Sequence, residues 1–182
     1  MRGVRRLIVT KRSILAVEAL SADTQKFFDV LNESSDLSVV LVTTSYLDAS
    51  LASLLHRYFI VGAVSDSLLA LDGPLGTVAS RARLAYALGL IGKSLYQALA
   101  KIIEIRNAFA HHHLEHDFQA AEIADLCSEL RFVEFLSQGN SDKPLGLEQH
   151  MQTSRDRFVL TAVMVSQRLL LAGLGVKRVP AA

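Results

Sequence analysis

Between Asp36 and Arg57 the sequence carries a single charge, Asp48, amid apolar residues spaced three and four apart: Leu37, Val40, Leu41, Leu47, Leu51, Leu54 and Leu55. That period belongs to a helix, apolar except for this one acid. The rest of the chain repeats the pattern. A first helix is expected over 16–32, with Leu20, Phe27, Phe28 and Leu31 on its apolar side, and Ser34, Ser35 and Asp36 offer caps for the long helix reaching about Val61. Ser65 is expected to cap a short helix through Leu71, and Thr77 the one that Gly89 and Gly92 end. Further helices are expected over 94–112, 119–136 and 147–171, the last ended by Gly173 and Gly175, with 138–143 as a loop. No segment alternates apolar and polar residues as a strand would, Val4–Val9 coming nearest. The expected fold is all-α: a single helical bundle of six or seven helices over 16–176, behind a basic N-terminal arm at 1–15.

Composition narrows the function. Basic and acidic residues number 19 and 18, so the net charge of +1 exerts no general pull on nucleic acid, and direct DNA binding is not expected. The exception is the arm, where Arg2, Arg5, Arg6, Lys11 and Arg12 precede any acid; it reads as a solvated terminus or a phosphate contact. Phe158–Val176 is nearly all apolar yet holds Gln167 and Arg168 near its middle. A central arginine costs a membrane span about 2.5–3.5 kcal/mol, so a buried bundle helix, and no membrane, is expected there. Cys127 is the only cysteine, which excludes an intramolecular disulfide and a cysteine-rich zinc site. Met1–Arg12 lacks the apolar core of a secretory signal, and a cytoplasmic setting is expected.

Two stretches are more specific than generic helix. One is Asp72-Gly73-Pro74-Leu75-Gly76-Thr77 with Arg81-Ala82-Arg83-Leu84-Ala85-Tyr86-Ala87-Leu88-Gly89-Leu90-Ile91; the other is Ile105-Arg106-Asn107-Ala108-Phe109-Ala110-His111. With Phe118, Glu122-Ile123, Leu126-Cys127 and Leu130 following, their order resembles the centre of the mannitol operon repressor family over about 36–136. The resemblance implies an all-helical regulator without an obvious DNA-reading element, and the sequence offers no helix pair with a basic second helix. Such a regulator would act through a protein partner, and a homodimer is expected.

Arg106-Asn107 and His111 also resemble the Arg-x4-His motif of the HEPN superfamily, which implies as the alternative a metal-independent, toxin-like ribonuclease or its inactive nucleotide-binding relative. Under this alternative the partner is RNA, His111 serves as general acid or base on a 2′-hydroxyl, and Arg106 stabilises the charge on phosphorus. An ideal helix puts Arg106 on a stripe with Leu95, Leu99, Ile102 and Phe109, and about 140° from His111. A guanidinium on a core stripe calls for a carboxylate, and Asp48 is the expected partner; Arg81 and Arg83 are either surface charges or a second pair for Asp48. No cofactor is expected: Gly73-Pro74-Leu75-Gly76 lacks the lysine and spacing of a phosphate loop and reads as a tight turn. No metal is expected either, because His112 and His116, though four apart, have no fixed third ligand.

Overall fold

The computed structural model describes residues 27, 31, 35–111, 117–133 and 150–180. Helices α1 (Asp36–Tyr58), α2 (Ala63–Leu69), α3 (Val78–Ala87), α4 (Lys93–His111), α5 (Ala121–Ser128) and α6 (Ser154–Gly175) account for most of them, with no strand among the described residues. Phe27 and Leu31 are helical and buried, in agreement with the first expected helix. The basic arm, the loop expected at 138–143 and His112, His113 and His116 lie outside the described residues.

Helix starts follow the capping chemistry. The Ser35 side chain accepts from the Ser38 amide, and Asp36 and the His56–Arg57 pair sit at the ends that favour their charges. Thr77 caps α3 in a reciprocal box with Ser80, and Thr153 caps α6 in another with Asp156. This second box begins α6 seven residues later than the apolar pattern suggests, and the helix then runs through Gly173 to Gly175. Two other expectations are corrected. Helix α2 begins at Ala63 rather than after Ser65, whose hydroxyl donates to the Ile60 carbonyl instead of capping. Helix α5 ends at Ser128, short of the expected 136, where the amides of Glu129 and Leu130 close tighter turns onto Leu126 and Cys127.

Helix α1 is the axis of the bundle and packs against α2, α3, α4 and α6. It runs parallel to α6. Asp36 at the start of α1 is ion-paired with Arg155 at the start of α6, and beyond their far ends the Val179 amide donates to the Tyr58 carbonyl at 2.8 Å. Phe109, Phe118 and Phe158 interlock at centroid distances of 5.3 and 5.2 Å, which joins α4, the segment before α5 and α6 in one core. By length and composition α1 and α6 are both apolar enough to cross a membrane. In α6, however, Phe158, Ala162, Val165 and Leu169 are buried within the bundle while Gln167 and Arg168 face outward, as expected for a bundle helix.

Candidate functional site

The region between α2 and α4 carries both of the specific sequence stretches, and it begins with a turn that only glycine can make. The amides of Gly73, Leu75 and Gly76 donate to the carbonyls of Ala70, Leu68 and Gly73, folding Asp72–Thr77 back over the end of α2. A Cβ on Gly73 would lie 2.2 Å from the Ser67 carbonyl oxygen, and one on Gly76 2.2 Å from that of Leu71. Thr77 then starts α3, whose inner face is Arg81, Ala82 and Ala85.

Arg81 is only 4% exposed. Its Nη1 meets Asp48 Oδ1 at 2.5 Å and its Nη2 donates to the Leu69 carbonyl at 2.8 Å, which ties α3 to α1 and to the end of α2. The carboxylate of Asp48 therefore serves Arg81, and the expected pairing with Arg106 is replaced. Ala82 and Ala85, buried beside it, complete the inner face of α3. Of the two arginines offered by the sequence, Arg83 stays exposed.

Arg106 sits half-buried on α4, on the flank of the core rather than in it, and donates from Nη1 to the Asn107 side chain at 3.2 Å. Asn107 and His111 are exposed. Along this regular helix Arg106 and His111 point some 140° apart, so a single chain does not bring them onto one scissile bond. Further back on α4, Lys101 is clasped by Glu104 at 2.7 Å and by Glu129 at 2.8 Å. Partial burial works against its charge, but the two carboxylates outweigh that and raise its pKa. Cys127, fully buried, has its thiol pushed up to about 12 by desolvation, against a smaller opposing effect of Arg157. It is a packing residue, not a nucleophile. Among the described residues no three metal-ligating side chains converge.

The sequence pointed to Arg106 as the buried partner of Asp48, whereas Arg81 holds that position. The signal was present in its phase on α3, where it falls with Ala82 and Ala85 and opposite Arg83.

The family model described as mannitol repressor matches residues 24–174. Among solved structures, the chain is similar to the MtlR–HPr complex from Escherichia coli, with TM-score 0.63 and 22% identity over 81% of this chain and 98% of that one. It is also similar to YggD, a possible transcriptional regulator from Shigella flexneri, with TM-score 0.60 and 18% identity over 82% and 98%. No curated protein matches the chain.

Proposed function

Since the chain belongs to the mannitol repressor family, we propose that it is a transcriptional regulator that works through a bound protein and does not read DNA itself. The observation that carries this reading is the make-up of the outward helix faces, where the described residues form no run of cations. Arg81, Lys101 and Arg155 are spent on Asp48, on Glu104 and Glu129, and on Asp36. The outward stripe of α4 is Lys93, Gln97, Ala100, Glu104, Asn107 and His111, and that of α5 includes Glu122 and Asp125. Neither stripe is a basic recognition surface for a major groove. The similar Escherichia coli chain is seen in complex with HPr, and an HPr-like protein is the partner proposed here. A homodimer and a cytoplasmic setting belong to the same reading.

Titration calorimetry of the full chain with purified HPr tests it. Saturable binding, with no retention of operator DNA by the chain alone, is the expected result. Tight operator binding without any partner, and no heat with HPr, would overturn the proposal. The geometry of Arg106 and His111 lends no support to the ribonuclease alternative, and RNA incubated with the chain in EDTA is expected to remain intact.

A further inference from the structure

From Gly73 to Ile103 the chain contains Arg81, Arg83, Lys93 and Lys101 and no acidic residue. Folding divides these cations into two kinds. Arg81 and Lys101 are neutralised, the first by Asp48 and the second by Glu104 and Glu129. Arg83 and Lys93 are exposed and form no ion pair among the described residues. Between them lies an aromatic pair. Tyr86 of α3 and Tyr96 of α4 stack with centroids 4.8 Å apart and planes 11° from parallel. Tyr96 is half-buried, while Tyr86 remains 41% exposed although one of its faces is covered. Arg83 is one helical turn from Tyr86, and Lys93 one turn from Tyr96.

A partly exposed tyrosine ring stacked on a second ring, with an exposed unpaired cation one helical turn from each, matches the chemistry of a nucleotide: a base to stack and phosphates to neutralise. We infer that the α3–α4 hairpin is a binding surface for single-stranded nucleic acid, with a base stacked on Tyr86 and the adjoining phosphates held by Arg83 and Lys93. A duplex, whose bases are already stacked on each other, offers Tyr86 nothing. Acidic peptides would satisfy the cations but leave the ring without a planar partner. This surface is separate from the Arg106–His111 segment and requires no cleavage.

The test is fluorescence anisotropy of the full chain with a labelled oligouridine of about 12 nucleotides, beside a matched duplex and a poly-glutamate peptide. The parent binds the single strand in preference to both. Tyr86→Ala, verified by thermal melting to fold as the parent does, weakens binding by about 5- to 150-fold, the loss expected for one stacked base, while Tyr86→Phe retains it. Replacing Arg83 and Lys93 together by Ala flattens the dependence of log affinity on log salt by about 1.4, the share of two phosphates on a single strand. Absence of strand binding, or binding that Tyr86→Ala leaves unchanged, overturns the inference. Tyr86-dependent binding of poly-glutamate without strand binding also overturns it and makes the hairpin a docking surface for an acidic protein.

Discussion

Asp48 and Arg81 are charged residues set where the chain otherwise buries leucine, and they hold there because each cancels the cost of the other. Removing one partner leaves the second buried and uncompensated, which is far worse than removing both. Asp48→Ala is therefore expected to cost about 3–5 kcal/mol, read from urea midpoints at constant slope. Adding Arg81→Met to Asp48→Ala recovers a large part of that loss, because a long apolar side chain replaces a stranded guanidinium whose Nε already lacks a partner. A single substitution costing less than about 1 kcal/mol, the scale of an exposed pair, would show that the pair is solvated after all. Cys127 gives a second prediction at this scale. Its folded thiol, pushed up to about 12, lies above the ordinary value of 9.0, so the folded state holds the proton more tightly than the unfolded one. The stability that this supplies is complete below 9.0 and declines as pH rises toward 12. Cys127→Ala should show a shallower loss of melting temperature across that alkaline range than the parent, and equal slopes would refute the burial argument.

Among the elements, the parallel pair α1 and α6 departs furthest from a simple apolar seam. Thr43 on α1 and Thr161 on α6 are both fully buried, and neither hydroxyl has a hydrogen-bond partner. Thr43 lies seven residues beyond Asp36, and Thr161 six beyond Arg155, so the ion pair at the start brings the two hydroxyls to nearly the same level of the bundle. An unpaired buried hydroxyl costs about 1–3 kcal/mol, and valine has nearly the same shape. Thr43→Val and Thr161→Val are each expected to stabilise the protein by about 1 kcal/mol, measured by urea denaturation. Destabilisation by either would mean that the hydroxyls share an internal water. The same elements mark what was legible in the sequence. Two starts with a side-chain cap, Ser35 and Thr77, fall where capping rules put them, while a third, Thr153, lies seven residues past the start that the apolar pattern suggests. Starts without one, at Gly62 and Ala120, were displaced by three and two residues, because backbone and tertiary contacts alone fix them. In the candidate site, the need of Asp48 for a buried cation was legible, but the identity of that cation was not. Arg106 shares a stripe with core residues on an ideal helix, and only the packing of α3 against α1 shows that Arg81 arrives first.

For the molecule as a whole, a chain that is 51% hydrophobic must commit its apolar helices to one core, and the packing bears this out. Helix α1 contacts α2, α3, α4 and α6, while α6 also packs on α4 and α5, so no helix beyond α2 can leave without uncovering another. Helix α2 is the exception: it packs on α1, takes one hydrogen bond from Arg81 of α3 at its end, and buries only Leu69. Two kinds of opening follow. Amides of α2 should exchange through local fluctuation, whereas those in the buried parts of α1 and α6 should exchange only when the entire bundle unfolds, and so report one common free energy. The chain has four tyrosines and no tryptophan, with Tyr46 and Tyr58 on α1 and Tyr86 and Tyr96 on the hairpin, which makes intrinsic fluorescence a report on axis and hairpin together. Thermal unfolding followed by tyrosine fluorescence and by far-ultraviolet circular dichroism should therefore superimpose as one transition. A fluorescence change that precedes the loss of helix would mean that α3 and α4 detach as a unit, and that the Asp48–Arg81 tie does not bind the hairpin to the axis.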